Sequence, residues 1–249
     1  MAWTDFEHAI WKTLSAAELE QKASYSLAIS GGLDSMVLLH LMKRLKPQAK
    51  LTVAYYHHGP SKDPSQKKYR DDCLELVRSE SAFQPNISFV TETCAEELQS
   101  ESAFRTARWD FFKRVFQDGQ PILTAHHLDD WVETLTLKLI RGVGPEGFIA
   151  FKQWDGHIFR PFLETPKTQL LEYAVAADVK WKEDPSNDSD QYLRNWLRQS
   201  WFKALDEKNP RGYENYSRSL LRLCQSVSEN QSSVLQFFRD SPNLGLDRF

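Results

Sequence analysis

This 249-residue sequence predicts an α/β fold: a Rossmann-like, doubly wound parallel sheet followed by a small helical C-terminal extension. Three observations predict it. Four short runs rich in apolar and β-branched residues alternate with longer helical stretches. The runs lack a polar face, as strands buried on both sides do, and the spacing leaves room for a crossover helix between successive strands.

The runs are Ser24–Ile29, Leu51–His57, Ile87–Thr91 and Pro121–His126. Between them, helices are expected over Met36–Leu45, Ser65–Glu80 and Ser102–Phe116. In the second of these, Tyr69, Cys73, Leu74 and Val77 recur at three- and four-residue steps and give one apolar face. After Arg141 the glycines and proline of Arg141–Phe151 read as an irregular loop. Thr165–Asp178 reads as a helix, with Pro166 in its first turn and Leu170, Leu171, Ala174 and Val175 on one face. Glu183–Asp190 is a loop by composition, Tyr192–Leu205 and Arg218–Phe238 are helical, and the last nine residues carry no ordering signal. A boundary near Lys208–Gly212 divides the chain into a main domain, residues 1–208, and the extension, residues 209–249.

Charge and cysteine content narrow the function classes. With 31 basic and 34 acidic side chains the formal charge is −3, which excludes an overall basic coat but not a local basic face. No apolar run approaches the ~20 residues that span a bilayer, and the N-terminus has no basic segment leading an apolar block. Cys73, Cys94 and Cys224 are far apart and form no C-x-x-C pair, which argues against a disulfide framework, a zinc ribbon or a cysteine-ligated cluster. A soluble, cytoplasmic protein is the expectation.

Two segments carry chemistry. Ser30, Gly31, Gly32, Leu33, Asp34 and Ser35 follow the first strand and open the first crossover helix. Adjacent glycines let backbone N–H groups approach an anion, and the helix N-terminus adds partial positive charge. Asp34 would repel a phosphate alone and makes sense beside a divalent cation or another positive group. An ordinary strand–helix turn with a capping serine is the plainer alternative.

The second segment, His126–Thr134, sits where the fourth strand gives way to a helix. Helical spacing would group His126, Asp130 and Glu133 on one face, turned toward the glycine loop if the two strands are neighbours. An acidic helix N-terminus with capping histidines is one alternative. A divalent-metal site joining Asp129 and Asp130 to His57 and His58 is another.

With both segments in view, the sequence resembles the tRNA(Ile)-lysidine synthetases within the PP-loop ATP-pyrophosphatase superfamily. The likeness runs from about Tyr25 to Arg198 through SGGLDSM at Ser30–Met36, HG at His58–Gly59 and ESAFRTARW at Glu101–Trp109. It continues through Ala125–Gly147, Arg160–Ala174 and Trp181–Arg198, which includes DPSN and RNWLR. The resemblance implies a PP-loop ATP-pyrophosphatase fold and a two-step reaction. ATP adenylates the C2 oxygen of the first anticodon cytidine of an isoleucine tRNA with a CAU anticodon, releasing pyrophosphate. The amine of free L-lysine then displaces AMP.

It further implies ATP, with magnesium, on Ser30, Gly31, Gly32, Leu33, Asp34 and Ser35. Asp34, Arg108, His126, Asp130 and Glu133 become the charged groups at the reacting centre, Arg194, Asn195 and Arg198 the RNA contacts, and a homodimer the assembly. The chemistry suits these residue types. Neutralising a lysine amine near pH 7.4 costs about 4 kcal/mol, so its site needs carboxylates for the ammonium and an acceptor for the proton, Asp130 or His126.

The pattern departs at Tyr55 and His57, where the family commonly carries histidine and then Asp or Asn, and at Trp109, where tyrosine is usual. The resemblance also implies that the larger C-terminal RNA-binding domains are missing or reduced. In their place, residues 194–222 hold seven basic side chains against three acidic ones, interleaved with Trp196, Trp201, Tyr213 and Tyr216. Such a stretch fits either anticodon-loop binding by stacking and phosphate contacts or an amphipathic helix with solvated charges. An RNA thiolase, a metal-dependent phosphohydrolase and a non-enzymatic RNA binder are the alternatives, and transfer of lysine to RNA with AMP release separates them.

Overall fold

The computed structural model describes residues 3–82, 84–95, 100–116, 120–142, 152–185 and 193–240, with the side chains of 101 and 228–240 left aside. The chain divides into two compact units, residues 1–129 with 153–188, and residues 130–152 with 189–249.

The first unit holds a six-stranded sheet of order β3-β2-β1-β4-β6-β5. Its strands are β1 (Ser24–Ala28), β2 (Lys50–His57), β3 (Ile87–Thr93), β4 (Ile122–Thr124), β5 (Trp154–Asp155) and β6 (Ile158–Phe159). All adjacent pairs are parallel except β5 with β6. The helices are α1 (Asp5–Ala16), α2 (Leu33–Leu45), α3 (Pro64–Ser81), α4 (Glu101–Val115) and α6 (Lys167–Ala176), with α5 (Leu128–Ile140) beginning in this unit.

The alternation of β2 explains why the sheet is covered twice. Leu51, Val53 and Tyr55 enter a core with α1, α2, α3 and α6 residues, while Ala54 and Tyr56 pack with Phe111, Phe112 and Phe116 from α4 and its C-terminus. The chain runs outward from β1 through β2 to β3, then resumes on the other side of β1 with β4. The strand order therefore reverses between β1 and β4, and ligands of open α/β sheets bind beyond the carboxyl ends at such a point.

The sequence-predicted strands and helices agree with these elements to within a few residues, except that the last helix starts at Gly212. The β5–β6 hairpin was not expected, since two-residue strands leave no periodicity to read. The loop expected over 141–151 lies outside the described residues beyond Gly142, as do residues 186–190 of the polar loop and the tail, 241–249.

Glu7 ties three helices of the first unit together. It closes a capping box with Thr4 at the start of α1, takes a two-pronged bond from Arg44 of α2 and accepts from the Tyr173 hydroxyl of α6 at 2.8 Å. The carboxylate is 1% exposed; burial raises its pKa, but these donors together outweigh that and hold it at about 2. A depressed carboxyl stabilises the fold above its unfolded value near 4.5, and that contribution is lost as the pH falls toward 2. Glu7→Gln is expected to cost roughly 3 kcal/mol at neutral pH and to flatten the acid limb of stability. Urea titrations between pH 2 and 7 would show it, and an unchanged limb would refute it.

The second unit contains the remainder of α5, then α7 (Leu193–Trp196), a π-helical turn (Leu197–Trp201), α8 (Phe202–Lys208) and α9 (Gly212–Asp240). The break expected between residues 208 and 209 falls inside this unit, between α8 and α9. The main chain leaves the first unit within α5 and returns for the hairpin, an order that composition along the chain does not reveal. Phe202 anchors the unit, with ring centroids 4.8 Å from Tyr213 and 5.4 Å from Trp201, and Tyr216 joins Thr136 of α5 through a 2.8 Å hydroxyl contact. Among the described residues no helix is long and apolar enough to cross a membrane.

Candidate functional site

The loop after β1 is held in shape by its own serines. Ser35 Oγ donates to the Gly32 carbonyl at 2.9 Å and accepts from the Ser30 amide at 3.1 Å, while the Ser30 hydroxyl lies 3.0 Å away. Ser35 is thus a brace whose proton is already committed, and Ser30, which is exposed, is the serine turned outward. Gly31 has φ +85°, and a Cβ there would meet Cys73 Cβ at 2.7 Å and Sγ at 2.8 Å. Its carbonyl accepts from the Lys182 amide at 3.0 Å. Gly32 is the N-cap of α2 and brings no side-chain cap bond, so the positive end of a 13-residue helix opens directly on the loop.

The ends of β1 and β4 come together as the strand order requires. Asp34 Oδ2 lies 3.6 Å from His127 Nε2, and His127 Nδ1 lies 3.5 Å from Asp129 Oδ2. His127 is 2% exposed and Asp34 27%, so a buried imidazole stands between two half-buried carboxylates. The same Asp129 Oδ2 accepts from the Lys167 amide at 2.8 Å. His126 Nδ1 pairs instead with the Thr124 hydroxyl at 2.9 Å. Helix α5 starts at Leu128, so His126 precedes it and does not share a helical face with Asp130 and Glu133. His127 is the residue that sequence reasoning missed; its signal was its place one residue before the helix.

The end of β2 also has a defined chemistry. His57 Nδ1 accepts from the Gly59 amide at 3.1 Å, which puts the proton on Nε2, 3.0 Å from Asp71 Oδ1. Gly59 has φ +75°, and a Cβ there would lie 2.2 Å from the Cys94 carbonyl, which accounts for the glycine of the HG pair. The Tyr55 hydroxyl donates to the Arg70 carbonyl at 2.8 Å. Tyr55 and His57, two of the three departures from the family pattern, thus make bonds that serve the fold. His57, the last residue of β2, sets its ring against Tyr55, and His58, just beyond the strand, sets its ring against Tyr56. Among the described residues no group of three or more His, Cys, Asp or Glu side chains is placed to hold a metal ion, so the shared metal site considered above is not formed by them. Burial, reinforced by Arg108 and Arg70, pushes the His58 imidazole down to about 4 and leaves it neutral. Arg108 stands half-buried on α4.

The second unit presents its own charged group. Arg198, on the π-helical turn, bonds Glu133 Oε1 through Nε and donates from Nη2 to Asp130 Oδ1 at 3.1 Å. Arg194 Nε stands 3.6 Å from Glu133 Oε2. Burial of Glu133 outweighs these cations and raises its pKa above the usual carboxylate range. Two of the three residues expected to touch RNA therefore face acids of α5, and Asn195 is half-buried beside them. Lys203, Lys208, Arg211, Arg218 and Arg222 are exposed. Of the interleaved aromatics, Trp201, Tyr213 and Tyr216 pack around Phe202, whereas Trp196 is 42% exposed. Ser186 and Asn187 of the DPSN motif lie outside the described residues.

Residues 4–205 match a family described as the PP-loop domain. A tRNA(Ile)-lysidine synthase of Bdellovibrio bacteriovorus is 31% identical over 225 residues, covering 90% of this chain and 70% of that protein. One from Legionella pneumophila (strain Paris) is 34% identical over 237 residues, and there the chain spans only 52% of the relative's length. Among solved structures, the U34-tRNA thiolase NcsA of Methanococcus maripaludis with its [4Fe-4S] cluster superposes with a TM-score of 0.68 at 17% identity. That match covers 88% of this chain and 77% of the thiolase, and it shows a shared fold.

Proposed function

We propose that this chain, which belongs to the PP-loop domain family and within it to the tRNA(Ile)-lysidine synthases, joins free L-lysine to C2 of the first anticodon cytidine of a CAU-anticodon isoleucine tRNA in the cytoplasm. ATP is converted to AMP and pyrophosphate. The observation that carries the reading is the carboxylate pair Asp130 and Glu133, one helical turn apart and spanned by a guanidinium, because it supports a seat for a substrate ammonium. Residues 1–208 carry the reaction and 209–249 extend it.

In the first step the cytidine C2 oxygen attacks the α-phosphorus of ATP. The N-terminal amides of α2 and the loop Ser30–Ser35 hold the phosphates, and Arg108 or these amides offset charge on the departing pyrophosphate. Asp34 supplies a carboxylate oxygen, the donor class magnesium takes, and magnesium is ordinarily held by one or two carboxylates together with substrate phosphates. When bound it would neutralise phosphate charge. In the second step the lysine amine, its ammonium form bound by Asp130 and Glu133, loses a proton to Asp130 or His126 and attacks C2. The C2–O bond to AMP then breaks. Arg194, Asn195 and Arg198 with the exposed basic residues after them are the RNA side of the reading, and a homodimer is its assembly.

The deciding experiment incubates the chain with labelled lysine, ATP and total tRNA. Label in RNA with matching AMP is the expected result. Orthophosphate without AMP would indicate a phosphohydrolase, and tRNA binding without ATP consumption would indicate a non-enzymatic binder.

A further inference from the structure

Arg198 occupies the place an amine substrate has to take. One planar cation spans Glu133 and Asp130, three residues apart on α5, with Nε on the first and Nη2 on the second. The Glu133 side chain is 1% exposed and that of Arg198 34%, so the acid is enclosed while its cationic partner is only part-covered. A carboxylate this deeply buried needs a cation beside it, since leaving it alone is costlier than either pairing it or protonating it.

The backbone under Arg198 departs from the regular α-helix on either side of it. Between α7 and α8 the Phe202 amide bonds the Leu197 carbonyl five residues back. Leu197 is fully buried and Phe202 nearly so. Residues five apart diverge by roughly 140° on an α-helix, and the wider π turn brings these two apolar side chains closer to one side. Single π turns inside helices recur at functional sites, and Arg198 rides on this one.

We infer that Arg198 is a placeholder that determines specificity: it fills the amine subsite of the empty protein and yields it to the substrate's ammonium. The inference rests on reading Asp130 and Glu133 as the ammonium-binding pair and goes beyond it. Only a long cationic side chain can replace a guanidinium that satisfies both carboxylates. Neutral and short amino acids are therefore rejected by competition with the protein's own residue rather than by the shape of the subsite.

The test is calorimetric titration of L-lysine into the full chain, wild type and Arg198→Ala, with and without millimolar guanidinium chloride. Lysine is expected to bind Arg198→Ala about tenfold more tightly than wild type, equivalent to about 1.4 kcal/mol. Guanidinium ion should compete with lysine in the variant and not in the wild type, a response that a purely structural arginine would not produce. Weaker lysine binding by the variant overturns the inference, and its restoration by guanidinium ion would make Arg198 a contact of the bound substrate instead. If Arg198→Ala does not fold, Arg198→Lys carries the same comparison, because its ammonium reaches one carboxylate only. Its lysine affinity should exceed that of wild type, and an equal or lower affinity overturns the inference. Absence of lysine binding by both proteins overturns it too, whereas the lysidine reading is judged separately by transfer of lysine to RNA by the wild-type chain.

Discussion

Asp34→Ala is expected to lower ATP-to-AMP turnover by about 10³-fold, the scale on which a single electrostatic group at a reacting centre acts. The carboxylate opens α2 at the end of β1, beside the first-turn amides, where a negative charge opposes phosphate binding unless it manages a cation. It also faces buried His127 across 3.6 Å. Asp34→Asn keeps the shape and removes the charge, so it should fall nearly as far as the alanine variant. Stability should change by no more than about 1 kcal/mol, the usual worth of an acid at a helix N-terminus. AMP production and urea midpoints measured on the same preparations test both halves. Near-normal turnover in either variant would remove Asp34 from the reaction.

Gly31→Ala is expected to destabilise the protein by about 2–4 kcal/mol, combining left-handed backbone strain with overpacking. The new methyl would lie 2.7 Å from Cys73 Cβ and 2.8 Å from its sulfur, against a residue wholly inside the core. Relief can come only by moving the loop away from α3, which would also break the Ser35 brace, so turnover should fall with stability. Cys73→Ala in the Gly31→Ala background removes the sulfur and leaves the β-carbon. It should therefore recover part of the lost stability and not all of it. Full recovery would mean that the sulfur alone sets the fit, and no initial loss would mean that the loop is slack.

The strand ends were legible because their chemistry is local. Two glycines, two serines and an acid between an apolar run and a helical one describe the loop at 30–35 almost completely, and β1 and β4 lie adjacent as the expected convergence requires. Less legible were features set by distant parts of the chain. His126 and His127 are indistinguishable until the first turn of α5 is placed, and a shift of one residue decides which of them faces Asp34. Arg194 and Arg198 read as a basic face because their partner Glu133 lies more than sixty residues earlier. The π turn follows from burial of both Leu197 and Phe202, which no periodicity near 3.6 announces. Glycine at 31 and 59 could be noticed, but the reasons for it, Cys73 and the Cys94 carbonyl, belong to neighbouring elements.

The bond from the Lys182 amide to the Gly31 carbonyl has a bearing on how the protein is made. Its two ends are separated by most of the first unit, and β4, the neighbour of β1, also comes late in the chain. A nascent polypeptide leaving the ribosome can therefore assemble β1, β2, β3 and their helices while the loop after β1 still lacks this backbone tether. That bond waits for residue 182 to emerge, so the loop is fastened late in synthesis and only in chains that have been translated that far.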